Sequence, residues 1–270
     1  MNKIHANGRK TIVTQRKYPT EVIAHRGFSA CAPENTLEAF RLAIASSADR
    51  VEFDVLLTRD GVPVVIHDAL LDRTTNGHGP VADLNLADLR ALDAGSWFEG
   101  RFAGERVPTL EETLALCAGR IPVNVEIKEE SVMRGVGTQG GIEAQVVSSL
   151  AWHGLLGSAT VSSFDPLALE RVRRLAPLAT CEVLFSDPDR GPSRVDLVNA
   201  RRAGFGGLNL GRDELWRWPG IVVAAHALGL RVKVYTVDEA VEMVKLLELG
   251  VDGIFTNRPD VLASIVGALE

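Results

Sequence analysis

Val51-Glu52-Phe53-Asp54-Val55, echoed by Pro122-Val123-Asn124-Val125-Glu126-Ile127-Lys128, alternates apolar and polar residues in the manner of strands. Successive side chains of a strand point to opposite faces. Val51, Phe53 and Val55 therefore share one face, and Glu52 and Asp54 the other. In the second run Val123, Val125 and Ile127 oppose Asn124, Glu126 and Lys128. With the apolar faces packed under helices, three carboxylates and one ammonium point into a common interior. Each such charge, left unpaired, costs several kcal/mol, roughly, to bury. Three acids alone also repel one another, and a bound hard cation relieves both costs. The pattern predicts an enzyme.

Outward from these two runs, short β-branched stretches alternate with amphipathic ones. Strands are expected at 22–24, 51–56, 121–127, 160–163, 181–185, 207–210, 231–235 and 253–255. Helical patterns fall at 36–46, 143–152, 167–175, 221–228 and 239–249. Asn35 with Glu38 three residues on has the form of a capping box, and Gly229 and Gly250 stand where C′ glycines are expected. Eight strands, each followed by a helix or helical turn, predict an α/β (β/α)₈ TIM barrel. A doubly wound open sheet is the alternative. Residues 69–108 are too long for a simple βα connection. With turn-rich Thr75-Asn76-Gly77-His78-Gly79-Pro80 and a helical pattern near 84–92, they read as an insertion over the barrel mouth. Residues 1–20 read as a flexible extension and 21–270 as one domain.

A chain of 270 residues, 46% hydrophobic, is long enough for one such barrel. A net charge of −6 offers no basic field for a nucleic-acid backbone. No stretch approaches the ~20 apolar residues that span a bilayer, and the first twenty residues hold no apolar signal core. Cys31, Cys117 and Cys181 lie far apart, which suits a reducing, cytoplasmic compartment and predicts three small core residues.

In a (β/α)₈ barrel the reactive groups gather at the C-terminal ends of the strands. There the sequence puts Ala24-His25-Arg26-Gly27, then Glu52 and Asp54, then Val64-Val65-Ile66-His67-Asp68 after a turn at Asp60-Gly61, then Glu126 and Lys128. Taken singly, each has a plain reading: a surface His-Arg pair, a wet strand face, a hydrogen-bonded strand-end histidine, a cross-strand salt bridge. Together they fall where a barrel active site must lie. Elsewhere, His78 reads as a turn residue, His153 and His226 as packing or surface residues, and Trp97-Phe98 as packing. Trp216 and Trp218 read as a rim or subunit contact. The arginines at 171, 173 and 174 read as a solvated helix face, and Glu182 and Lys233 as an interior pair.

These residues carry a resemblance. From Val22 to about Pro259 the chain resembles the glycerophosphodiester phosphodiesterase family, and its cytoplasmic bacterial members in particular. The matching text is His25-Arg26-Gly27, Pro33-Glu34-Asn35-Thr36, Glu52-Phe53-Asp54, His67-Asp68 and Asp72-Arg73-Thr74-Thr75-Asn76-Gly77. It continues with Pro108-Thr109-Leu110, Val125-Glu126-Ile127-Lys128, Ser163-Phe164 and Tyr235-Thr236-Val237. The resemblance implies a barrel with a small inserted subdomain. It also implies metal-dependent hydrolysis of glycerophosphodiesters to sn-glycerol 3-phosphate and an alcohol. It implies metal ligands at Glu52, Asp54 and Glu126, and an acid/base pair at His25 and His67. It further implies phosphate contacts at Arg26 and Lys128, a glycerol-pocket residue at Tyr235, and the glycerol 2-hydroxyl as first nucleophile. Carboxylate-only ligation favours Mg²⁺ or Ca²⁺ over zinc. Two positions depart from the family pattern, Asp238 where Asn is usual and Asn257 where Asp is frequent. Neither is a ligand or a histidine, so the departures are expected to bear on loop contacts and substrate preference. The expected partner is a small glycerophosphodiester, without nucleic acid or stable membrane association, and no oligomeric state is implied. The alternatives are a phospholipase C- or D-like barrel acting on whole lipids and a noncatalytic barrel that binds phosphorylated ligands. Neither an exposed basic amphipathic helix nor an aromatic membrane rim is evident for the first. The second has no need of two proton-transfer groups.

Overall fold

The structure is a computed structural model that describes residues 20–131, 141–187 and 189–269. The expected extension falls almost wholly outside the described residues. Strand β1 (Glu21–Ala24) leads through α1 (Leu37–Ala45) to β2 (Arg50–Leu57), against which β3 (Pro63–Val65) folds back antiparallel. The long connection that follows holds the one-turn helix α2 (Leu86–Leu89) and ends in α3 (Leu110–Cys117). Regular alternation follows: β4 (Val123–Ile127), α4 (Ile142–Trp152), β5 (Thr160–Ser163), α5 (Pro166–Leu175), β6 (Thr180–Phe185), α6 (Arg194–Ala203) and β7 (Gly207–Gly211). Two short helices, α7 (Arg212–Arg217) and α8 (Ile221–His226), precede β8 (Arg231–Tyr235). Helix α9 (Ala240–Leu249), β9 (Gly253–Thr256) and α10 (Pro259–Leu269) complete the chain.

Eight of the nine strands run parallel, and β1 pairs with both β2 and β9, so the sheet closes. Closure excludes the open doubly wound alternative and gives the (β/α)₈ barrel. Strand β3 lies outside the ring, paired with β2 and bridged at Val64 to Thr109. Val51, Phe53, Val55, Val123, Val125 and Ile127 are fully buried among Phe40, Leu110, Leu114 and Cys117 from the surrounding helices. Each such side chain gains about 1.5–3 kcal/mol from leaving water. That gain holds the opposite, polar face toward the barrel axis. A second apolar cluster, including Leu56, Val64, Ile66, Leu71 and Leu89, packs the long connection onto the β2–β3 hairpin.

Several local expectations are corrected. Thr36, not Asn35, caps α1: its hydroxyl accepts from the Ala39 N–H, and Asn35 turns away at a φ of 57°. Cys31 is exposed, while Cys117 and Cys181 are buried. On the arginine face of α5, half-buried Arg171 bonds Glu143 at 2.6 Å and meets Asp165 at 3.5 Å. Gly250 does end α9 in the left-handed conformation, at a φ of 81°. The expected interior pair is present: Lys233 Nζ lies 3.1 Å from Glu182 and 2.9 Å from Glu21. Arg231 and Arg50 complete this charge cluster against Glu182 and Glu21, at 2.8 and 2.7 Å. Glu21, Arg50 and Arg231 each open their strands, so the cluster plugs the end of the barrel opposite the strand C-termini.

Candidate active site

Register brings the acids together. In the parallel β2–β4 pair Glu52 lies opposite Asn124 and Asp54 opposite Glu126. Oxygen atoms of Glu52, Asp54 and Glu126 all fall within 4.8 Å of one another, and all three residues are buried. Burial and the charges of Asp54 and Glu126 raise the Glu52 carboxyl well above the usual range. Burial and Asp54 push Glu126 up to about 7. Burial also works upward on Asp54, but Arg26 and Lys128 outweigh it and hold that carboxyl low. A hard divalent cation removes this mutual repulsion, and an oxygen-only donor set of this size suits one. The three residues thus form a candidate divalent-cation site.

Two cations flank the acids. Lys128 Nζ sits 2.9 Å from Glu126 and 3.6 Å from Asp54. Arg26, in the left-handed region at a φ of 56°, donates its backbone N–H to Glu52 at 2.9 Å. Its guanidinium bonds Glu34 at 2.8 Å and meets Asp54 at 3.4 Å. Asn35 Nδ2 donates to Asp54 at 2.9 Å, which explains why it does not cap α1. With all three carboxylates ionised on a divalent cation, they, the cation, Arg26 and Lys128 would sum to one positive charge, which a phosphodiester monoanion would cancel.

The two histidines differ in their partners. His25 Nδ1 lies 2.9 Å from Asn257 Oδ1, and Asn257 Nδ2 donates to Asp238 at 2.7 Å. With its amide N–H₂ committed to Asp238, Asn257 can only accept from the imidazole. Nδ1 therefore carries the hydrogen and Nε2 the lone pair. Burial and the neighbouring Arg26 hold the His25 pKa down, at about 4, so the ring is neutral near pH 7. His67 Nδ1 instead meets the Asp68 carboxylate at 2.5 Å. Hydrogen bonds from Arg73, which also grips Glu34, keep Asp68 ionised. An imidazolium at His67 thus has an anion beside it, whereas one at His25 has a neutral amide. The Asp238 and Asn257 departures are consequently more than loop contacts: they are hydrogen-bonded to each other and reach His25.

His25, Arg26, Glu52, Glu126, His67 and Lys128 line one cavity of about 130 Å³ at the C-terminal ends of the strands. Tyr235 closes one side, its hydroxyl donating to the Phe185 carbonyl at 3.1 Å. All eight sequence-predicted site residues are thus brought to one place. Sequence reasoning quoted Glu34, Asn35, Arg73, Asp238 and Asn257 and placed Asn124 on the inward face, but gave none of them a part in the site; it passed over Asn209, which with Asn124 lines the cavity as a buried amide. Asn124 Nδ2 donates to Ser162 at 2.8 Å, while neither polar atom of Asn209 has a partner among the described residues. Leu208-Asn209-Leu210, a polar residue between apolar ones on a strand, was a usable signal for an inward amide.

Fold and site together define a (β/α)₈-barrel enzyme with a candidate carboxylate cation site and two histidines at the mouth. Residues 25–261 match the glycerophosphoryl diester phosphodiesterase family, and the chain belongs to it. A glycerophosphodiester phosphodiesterase of Caldanaerobacter subterraneus is 36% identical over 92% of this chain and 98% of its own. One of Bacillus subtilis is 34% identical over 90% of this chain and 85% of its own. Among solved structures, an Oleispira antarctica phosphodiesterase in complex with the product sn-glycerol-3-phosphate superposes with a TM-score of 0.80. It is 31% identical and covers 91% of this chain and 96% of its own. A glycerophosphodiester phosphodiesterase of Agrobacterium tumefaciens gives 0.76 at 32% identity, over 91% of this chain and 99% of its own. No helix among the described residues is long and apolar enough to cross a membrane.

Proposed function

We propose that this enzyme hydrolyses glycerophosphodiesters to sn-glycerol 3-phosphate and an alcohol, with Mg²⁺ or Ca²⁺ on Glu52, Asp54 and Glu126. The observation that carries the proposal is one cavity lined by Glu52, Glu126 and two histidines in unlike surroundings, with Asp54 within 4.8 Å of both acids. A cation there would supply charge stabilisation for the phosphoryl oxygens. Arg26 and Lys128 contact the phosphate and offset the charge that builds on it. His25, neutral with a bare Nε2, takes the proton from the glycerol 2-hydroxyl as its oxygen attacks phosphorus. His67, with the Asp68 carboxylate on its Nδ1, gives a proton to the departing alcohol. In the second step water opens the cyclic phosphate with the roles reversed. His67 takes the water proton and His25 returns one to the 2-oxygen. Tyr235 bounds the glycerol pocket.

The same proposal takes residues 21–270 as one catalytic domain, with 69–108 inserted over the barrel mouth. It places the protein in the cytoplasm, a compartment supported by three free thiols. The test is an assay of glycerophosphocholine with and without added Mg²⁺, reading sn-glycerol 3-phosphate. Turnover that needs the metal supports the proposal. Metal-independent turnover, or none on any glycerophosphodiester, overturns it.

A further inference from the structure

The long connection after β3 sets one exposed side chain, Arg73, against two carboxylates that each hold a residue of the site. Its loop is fixed on both sides. Leu71 is fully buried in the apolar cluster on the β2–β3 hairpin. The Thr75 N–H and hydroxyl both return to the Leu71 carbonyl, at 3.1 and 2.8 Å. The Asn76 N–H donates to the Asp93 carbonyl at 3.0 Å, and the Asp93 N–H to the Asn76 side-chain oxygen at 2.8 Å. Well-anchored backbone thus delivers Arg73, although the side chain itself is exposed.

Both edges of the Arg73 guanidinium are used. Nη1 and Nη2 donate to Glu34 at 2.7 and 2.8 Å, and Nε and Nη2 donate to Asp68 at 2.6 and 3.1 Å. A planar fork grips two carboxylates in this way, and a lysine ammonium does not. The two oxygens at Nη2 each hold a second residue. Glu34 Oε1 accepts from Arg26 Nη1 at 2.8 Å, and Asp68 Oδ1 meets His67 Nδ1 at 2.5 Å. One unbroken chain of polar contacts therefore runs from Arg26 through Glu34, Arg73 and Asp68 to His67. Burial works upward on the Glu34 carboxyl, but bonds from Arg73 and Arg26 outweigh it and hold that carboxyl low. Without Arg73, the two carboxylates that meet at Nη2 would repel each other and carry Arg26 and His67 out of register.

We propose that Arg73 is a positioning residue for turnover: its guanidinium orients His67 through Asp68 and Arg26 through Glu34, so that one side chain of the long connection sets both at once. The inference rests on the acid and phosphate-contact roles proposed above for His67 and Arg26, and it adds a residue that acts only through them.

The test uses the full chain with Mg²⁺ under single turnover, on glycerophosphocholine and on the p-nitrophenyl diester of glycerol 3-phosphate. Choline needs a proton to leave, and p-nitrophenol leaves without one. Release of each is read as a maximal rate and a half-saturating concentration. In Arg73→Met the maximal rate of choline release is expected to fall about 10²-fold, the cost of a misplaced catalytic group. Nitrophenol release falls less than about tenfold, because that step needs no acid. The half-saturating concentration rises about tenfold for both, because Arg26 contacts the phosphate they share. Arg73→Lys keeps the cation without the fork and is expected to show the same split between leaving groups at reduced size. Should Arg73→Met fail to fold, Arg73→Lys carries the comparison. Equal losses on the two diesters would show a merely structural role and overturn the proposal. So would an unchanged half-saturating concentration, or wild-type kinetics in Arg73→Lys. If the wild-type enzyme releases neither choline nor nitrophenol, the phosphodiesterase reading itself falls and takes this one with it.

Discussion

Exchanging Asp238 and Asn257, as Asp238→Asn with Asn257→Asp, moves a negative charge one link closer to His25 and leaves the hydrogen bonds in place. The amide oxygen introduced at position 238 would still accept from the backbone N–H of residue 257 and the Thr256 hydroxyl, contacts now at 2.7 and 3.0 Å. The new N–H₂ there would donate to the carboxylate at 257. The His25 Nδ1 hydrogen, now 2.9 Å from an amide oxygen, would face an anion instead. An opposite charge in direct contact raises a histidine pKa by about 1–3 units. The charge on Asp238 already acts from slightly farther off, so the net gain is about 1–2. Each unit corresponds to about 1.4 kcal/mol in favour of the imidazolium. His25 starts near 4, and as a base it works only when neutral. The acid limb of kcat/KM, which reports groups of the free enzyme, is therefore expected to move up by about 1–2 pH units. The rate above pH 7 changes little. The assay is a pH profile of both enzymes at saturating Mg²⁺ on glycerophosphocholine. An acid limb that stays in place, or moves down, would refute both the Asn257 orientation and the assignment of His25 as the base. The single variant Asn257→Asp sets two carboxylates against each other and is expected to lose more activity than the double.

His25→Ala and His67→Ala are each expected to lower kcat by about 10²–10⁴-fold while the thermal midpoint stays near wild type; full turnover in either removes that residue from the acid/base pair. Glu52→Gln is expected to weaken Mg²⁺ or Ca²⁺ binding by calorimetry and, because it relieves repulsion among buried acids, to stabilise the metal-free protein; unchanged metal affinity would free Glu52 from the ligand set. Exhaustive chelation should silence the enzyme, and activity that survives it argues against any essential cation. Lys233→Met leaves Glu21 and Glu182 with only their arginines in the buried plug. It is expected to cost about 3 kcal/mol in urea unfolding, with turnover per folded molecule unchanged because the plug lies at the far end of the barrel. An unaltered unfolding midpoint would show that the plug adds nothing to stability.

What the sequence made legible followed the period of a strand. Alternation alone assigned Glu52, Asp54, Glu126 and Lys128 to an inward face, and the same rule paired Glu182 with Lys233. Strand count and glycine-ended helices announced a barrel, and the barrel rule told which strand ends mattered. The misses lie where period says nothing. Asn35 and Thr36 are adjacent residues with equal claims to cap α1. What separates them is Asp54, nineteen residues on, which draws the Asn35 amide inward. Cys31, read as core, sits in the loop after β1, where no period constrains it.

The pairing of Asp238 with Asn257 marks that boundary most sharply. Each residue follows a strand end, one after β8 and one after β9, and each taken singly is a conservative departure from a family pattern. Only closure of the barrel sets β9 beside both β8 and β1 and so brings Asn257 to Asp238 on one side and His25 on the other. Joined, they form one device that fixes the tautomer of His25 through an amide and keeps the carboxylate one bond farther away. The half-buried ring beside Arg26 is thereby left neutral, while His67 keeps its carboxylate at first hand. A like pair of side chains on an open sheet would be two surface residues. In a closed one their order sets whether His25 faces an amide or a carboxylate, the contrast on which its proposed role as the base rests.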